Sequence, residues 1–241
     1  MFYRENSQLS TAPLFRAFEK FRAMVRCGLD VVFPQKCLGC KKEGFAFCPR
    51  CRGRIPWLTS PQSFDTISVW QYEHPSLQKA LWKLKYRGKK ELAHDLAESM
   101  YDKILETIAE NDLFSDPSGN MAEKYLVVPI PIHTNRKKER GYNQSELLAR
   151  ELALFDTSLF LLETGVLFKT KETKSQVSVI NREKRLRNIR GSFGVRNSEK
   201  IRGKNILVVD DITTTGATLA EARKVLLLAG AKTVICVTVA H

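Results

Sequence analysis

Ile206-Leu-Val-Val-Asp-Asp-Ile-Thr-Thr-Thr-Gly-Ala-Thr218 is the stretch on which the fold turns. Its leading apolar run, Ile206 to Val209, has the continuous hydrophobicity of a strand buried on both faces of a parallel sheet. Asp210 and Asp211 follow, then three hydroxyls, a glycine and a helix start. Open α/β proteins bind ligands beyond the carboxyl ends of their strands, which is where this order puts the acid pair. The backbone N–H groups of the threonine turn, its hydroxyls and the positive end of the next helix all favour a phosphate monoester. Two adjacent carboxylates just upstream suit vicinal hydroxyls, so the combined reading is a phosphorylated sugar. The alternative is a strand ending in a solvated acidic turn with a threonine as helix cap. Neither a Walker A pattern nor a G-x-G-x-x-G fingerprint competes.

Outward from this stretch, strand and helix patterns alternate. Residues 125–132, 165–169, 204–209 and 233–240 read as strands, and 144–154 and 216–229 as helices, the last closed by Gly230. Such alternation predicts right-handed crossovers and a parallel sheet covered on both faces. Upstream, 13–31 has the spacing of an amphipathic helix, 64–72 reads as a strand, and helices are expected from Pro75 to Tyr86 and over 89–110. The turn formers of 111–123 predict an exposed loop. With 241 residues, 43% of them apolar, the chain has material for one substantial core and a small appendage. The expected domains are a helical segment at 1–33, a cysteine module at 34–60 and an α/β domain at 61–241.

Four of the six cysteines form two C-x-x-C pairs, Cys37/Cys40 and Cys48/Cys51, separated by seven residues. Two such pairs close a tetrahedral coordination sphere and leave no open position, the pattern of structural zinc. Gly39 relieves the tight first knuckle. Lys36, Lys41, Lys42, Arg50 and Arg52 offset the charge of a tetrathiolate centre. An iron–sulfur cluster, a dithiol redox pair and incidental buried thiols are the alternatives. Cys27 and Cys236 sit in apolar surroundings and read as small buried hydrophobes.

The formal charge is +13, from 39 Lys and Arg against 26 Asp and Glu. The positive charge is clustered, which raises the expectation of a polyanionic partner. No apolar stretch is long enough to span a bilayer, and no signal peptide pattern follows the basic N-terminal residues, so a cytoplasmic location is expected.

The DDITTTGAT loop resembles the signature with which type I phosphoribosyltransferases bind 5-phosphoribosyl-1-pyrophosphate (PRPP). The resemblance implies an α/β fold with a parallel sheet flanked by helices. It also implies that Asp210 and Asp211 contact the ribose 2′ and 3′ hydroxyls and that Thr214, Thr215, Gly216, Ala217 and Thr218 cradle the 5-phosphate. Thr213, within the same loop, departs from the apolar residue usual there. Mg²⁺ accompanies PRPP in that class, held mainly by ligand oxygens. Two basic segments extend the resemblance. The first follows Pro129-Ile130-Pro131 and carries Arg136, Lys137, Lys138 and Arg140 against a lone Glu139, a charge balance suited to pyrophosphate. The second, 169–190, holds eight Lys or Arg, Arg182 and Arg185 among them, against two Glu. It stands where the class has a hood that closes over PRPP. Solvated basic loops are the plain alternative for both.

Together, the cysteine knuckles, Lys85-Tyr86-Arg87-Gly88, the PIP run, Arg140-Gly141-Tyr142-Asn143-Gln144, Gln176 with Arg182 and Asn188, and the acidic loop resemble the ComF family over residues 30–241. That resemblance implies a part in natural transformation, handling incoming single-stranded DNA beside a helicase and the membrane channel, at the inner face of the membrane. Two other functions stay open. One is an active phosphoribosyltransferase in nucleotide salvage or modification with an unidentified acceptor, and the other is a non-enzymatic scaffold.

Overall fold

The fold is that of a computed structural model, which describes residues 34–58, 66–111, 124–170 and 189–241. The expected helix at 13–31, most of the 111–123 loop, Cys27 and the bulk of the 169–190 segment, including Arg182 and Arg185, lie outside the described residues.

The elements are α1 (Pro49–Arg52), β1 (Thr66–Trp70), α2 (Pro75–Tyr86), α3 (Leu92–Asn111), β2 (Tyr125–Pro129), α4 (Thr134–Arg140), α5 (Gln144–Phe155), β3 (Phe160–Leu162), β4 (Leu167–Lys169), β5 (Phe193–Val195), a 3₁₀ turn at Ser198–Lys200, β6 (Asn205–Ile212), α6 (Ala217–Leu228) and β7 (Thr233–Ala240). Five strands form one sheet in the order β1-β7-β6-β2-β3, every neighbouring pair parallel. β6 is central, with Leu207 level with Val127 on one side and Ile235 on the other.

Because side chains alternate along a strand, β6 feeds two separate cores. Leu207 and Val209 join Leu77, Leu81, Leu96, Leu148 and Leu152 from α2, α3 and α5. Ile206 and Val208 join Leu219, Ala222 and Leu226 of α6, with Leu167 and Phe193, on the other face. Asp211 continues the parity of Leu207 and Val209, and so points toward the α2 layer.

Three expectations change. Residues 165–169 do not enter the parallel sheet; β4 pairs antiparallel with β5 in a separate two-stranded unit. An apolar run this short cannot announce its sheet when its partner lies more than twenty residues onward. Gly194 is required there, since a Cβ at that position would come within 2.5 Å of the Phe168 ring. The parallel sheet instead gains β3, whose brevity and exposed Leu161 hid it. The basic segment after the PIP run is also helical, because His133 caps the Asn135 N–H and Gly141, at φ +76°, terminates α4.

The cysteine module packs directly on α3. Phe47, Leu38 and Ile55 belong to the same core as Leu92 and Leu96. The Phe47 N–H donates to Asp95 Oδ2 at 2.7 Å. Arg52, 5% exposed, donates to the Asp95 carbonyl, to Ser99 Oγ at 2.8 Å and to Glu98, with which it is ion-paired. Removing such a cation strands its partners, while Glu98 keeps access to water. Arg52→Ala is therefore expected to cost about 3 kcal/mol, near the low end for breaking a buried pair, measured by urea unfolding. A cost inside the roughly 0–1 kcal/mol of a surface pair would mean that the module is not anchored here.

Candidate functional site

Three elements meet at the carboxyl end of β6. Asn143 caps α5 by accepting the Ser145 N–H at 3.1 Å, and its Nδ2 donates to the Ile130 carbonyl at 2.9 Å, fastening the helix start to the PIP run. That fixes Ser145, whose Oγ donates to Asp210 Oδ1 at 2.7 Å; the Asp211 N–H donates to the same oxygen at 2.9 Å. Asp210 and Asp211 are 9% and 4% exposed. Burial, then the negative charge of Asp211, raise the Asp210 carboxyl from 3.8 to about 7, against the pull of Ser145 and Lys85.

From α2, Lys85 brings its Nζ to 2.9 Å from Asp211 Oδ2. Burial alone would lower the lysine pKa, but the two carboxylates together raise it above its ordinary value. Asp211 Oδ2 is itself buried, and the Lys85 ammonium is what offsets its charge there. Tyr142 holds the end of α2 in place by donating to the Leu84 carbonyl.

Beyond the acids, the Thr213 N–H donates to Ala240 O at 2.9 Å, extending the pairing of β6 with β7 by one residue. Gly216, at φ +71°, starts α6, and a Cβ there would meet nothing within 4 Å. Glycine serves the backbone angle, and the space above it is open. Thr214 is exposed, Thr215 and Thr218 are half-buried, and Thr213 and Ala217 are buried. The helix start thus offers N–H groups beside two accessible hydroxyl-bearing turns.

The basic residues divide. Arg136 lies near enough to Lys169 for its charge to be felt there. Burial, then the Arg136 charge, lower the Lys169 pKa, while Asp210 opposes them. Lys137, Lys169 and Arg196 line a cavity of about 330 Å³ between the PIP run and β4, shared with Glu146. Lys138 is exposed and Lys137 lies 3.7 Å from Glu146. Arg140 lies over Tyr86, its guanidinium 4.8 Å from the ring centroid.

The four knuckle sulfurs lie within 4.8 Å of one another, and Cys40 Sγ is 3.6 Å from Cys48 Sγ. A tetrahedral ion with sulfurs at about 2.3 Å needs them about 3.8 Å apart. At Gly39 a Cβ would fall 2.9 Å from Cys51 Sγ, so the knuckle requires glycine. Burial would raise the Cys37 thiol, but N–H groups of Cys40, Cys48 and Gly39 outweigh it and bring it down to about 6, whereas burial and the neighbouring sulfurs push the Cys51 thiol up to about 12. The cluster fits a metal ion. Cys236 is buried in β7, as expected of a small hydrophobe.

Lys85 entered the sequence reading only within the Lys85-Tyr86-Arg87-Gly88 motif, with no role at the acids, and Ser145 was not singled out. A signal for Lys85 exists, since it continues the buried stripe Leu77, Leu81 at one further helical step, a position for an apolar residue unless a charge waits inside. Ser145 carries no comparable mark.

The phosphoribosyl transferase domain family model matches residues 140–241. The DNA utilization protein YhgH of Salmonella typhi is 27% identical over 209 residues, covering 82% of this chain and 85% of its own. Competence protein F of Haemophilus influenzae is 24% identical, covering 87% and 92%. Competence protein ComFC of Bacillus subtilis is 30% identical over 165 residues, covering 68% and 58%. The chain belongs to the ComF-type family of phosphoribosyltransferase-fold proteins. Matches over more than four-fifths of the chain reach well upstream of residue 140, into material that the domain model alone does not cover. A hypoxanthine phosphoribosyltransferase of Trypanosoma cruzi aligns at TM-score 0.37 and 14% identity, over 62% of this chain and less than two thirds, 64%, of that enzyme. Among the described residues of this ComF-type chain, no helix is long and apolar enough to cross a membrane.

The raised Asp210 pKa makes the site a liability to stability. A carboxyl whose folded pKa exceeds its unfolded one contributes stability that is complete below the unfolded value of 3.8 and is lost as pH rises through about 7. Asp210→Asn keeps an acceptor for Ser145 and removes this loss. Its thermal midpoint is expected to exceed that of the wild type at pH 8, the gap closing toward pH 4. An equal gap across that range would assign the titration elsewhere.

Proposed function

We propose that this chain binds PRPP with Mg²⁺ at the end of β6 and acts in the use of imported DNA, handling it as single strands. The observation that carries the first half is the acid pair itself. Two buried carboxylates with one lysine between them and an open helix start beside them suit a sugar with vicinal hydroxyls and a terminal phosphate. Asp210 and Asp211 would accept the ribose hydroxyls, and Thr214 to Thr218 would hold the 5-phosphate through N–H and hydroxyl groups. Arg136 and Lys169, whose like charges weaken each other, gain from an anion between them, the role of the pyrophosphate. Mg²⁺ would arrive with the pyrophosphate oxygens and neutralise part of their charge.

The second half is supported by the relatives, named for DNA utilization and for competence. Association with a helicase at the inner face of the membrane belongs to the same proposal. A transferase reading draws on the cavity between the PIP run and β4, which has room for an acceptor opposite the ribose. There a nucleophile would attack ribose C1 with inversion, expelling pyrophosphate.

Zinc is the proposed ion of Cys37, Cys40, Cys48 and Cys51. Elemental analysis of the purified chain is expected to give one equivalent of zinc, and iron or less than half an equivalent would reject it. For the sugar site, Asp211→Ala is expected to weaken PRPP binding by at least about tenfold, the lower end for a charged hydrogen bond at ~1.5–3 kcal/mol. Calorimetry with Mg²⁺ measures it, and equal affinity of wild type and variant would mean that the sugar binds elsewhere.

A further inference from the structure

Between Pro75 and Lys90 the chain carries six Lys or Arg and no acidic residue. Within this run α2 buries Leu77, Leu81 and Leu84 and leaves Trp82 and Tyr86, one turn apart, in water at 46% and 58% exposure. Their ring centroids are 6.3 Å apart at an interplanar angle of 48°. The Arg87 guanidinium lies 4.9 Å from the Trp82 centroid. Arg140 covers Tyr86 from α4 and donates to its hydroxyl at 3.3 Å.

Neither ring belongs to a core cluster, so packing does not account for them. The order Arg87, Trp82, Tyr86, Arg140 sets two neighbouring π surfaces between two flat cations along one ledge. A ligand that engages both must carry planar aromatic units with negative charge at regular intervals. Single-stranded nucleic acid has that chemistry, whereas a duplex hides its base faces in its own stack. A membrane surface would reward the charge, but the neighbouring exposed positions are Gln78 and Lys79, which offer nothing to insert among acyl chains.

We propose that Trp82 and Tyr86, braced by Arg87 and Arg140, form a base-stacking ledge for single-stranded nucleic acid. This rests on the DNA reading above and names its site. Lys85, the counter-ion of Asp211, directly precedes Tyr86. Arg140 also donates to Gln144 Oε1 at 3.1 Å, next to the Ser145 that holds Asp210. A strand lying along the ledge therefore ends beside the acid pair.

The test uses the full chain, fluorescence anisotropy, and two labelled strands of roughly sixteen nucleotides, one of thymidines and one abasic at every position. Wild type is expected to bind the thymidine strand more tightly. Trp82→Ala should lose at least about fivefold on that strand, the low end for one base–aromatic stack, and nothing on the abasic strand. Trp82→Phe should retain most of the affinity, and PRPP binding should be unchanged in both variants, which reports intact folding. Equal losses on both strands would overturn the ledge, because stacking requires bases. Unchanged binding by the double variant Trp82→Ala, Tyr86→Ala would overturn the ledge alone and leave the DNA reading standing. A wild type that binds neither strand overturns both. Binding to phosphatidylglycerol vesicles that Trp82→Ala abolishes, with thymidine binding intact, would reassign the ledge to a membrane surface.

Discussion

Two neighbouring carboxylates with less than a tenth of their surface in water cannot both stay ionised without help, and this constraint organises the site end of the molecule. Asp210 has a hydroxyl and an N–H aimed at one oxygen, while Asp211 has a lysine from another layer. Each of those donors is itself secured. Ser145 depends on the Asn143 cap and its bond to the PIP run, and Lys85 depends on a helix end that Tyr142 fastens. The surroundings of the acids are thus built from four separate segments. A parallel strand bonded on both sides provides the fixed point to which they attach.

What the sequence made legible follows how local each signal is. The run from Ile206 through Thr218 contains its own strand, acids, turn and helix start, so its structure could be read without any partner. The cysteine knuckles were legible for the same reason, with four donors inside fifteen residues. Lys85 and Ser145 reach the acids only through the fold, separated from them by 126 and 65 positions, a distance at which spacing says nothing. Charge was also a coarse guide. Arg136 and Arg140 look equivalent in the sequence, yet a single turn of α4 separates one whose charge is felt at Lys169 from one that stacks on Tyr86.

The cysteine module is joined to the α/β layers by more than chain connectivity. Its apolar residues continue the core of α3, and Arg52 spends its guanidinium on backbone and side chains of that helix. α3 in turn packs on α5, the helix whose first turn carries Ser145. The cysteine module and the start of α5 therefore share one packed core, so an ion held by the four sulfurs would bear on the structure around the acids through that packing.

The strand order carries a consequence for biosynthesis. β7 lies between β1 and β6, so the two strands it separates remain unpaired on facing edges until residues 233–240 have been made. A nascent chain lacking that segment holds the β1–α2 unit, with Lys85, near the strand that bears the acids only through helix-layer contacts such as the Tyr142 bond to the Leu84 carbonyl. Assembly waits on a late, long-range pairing, the kind that makes folding slow and leaves strand edges open to other chains in the interval.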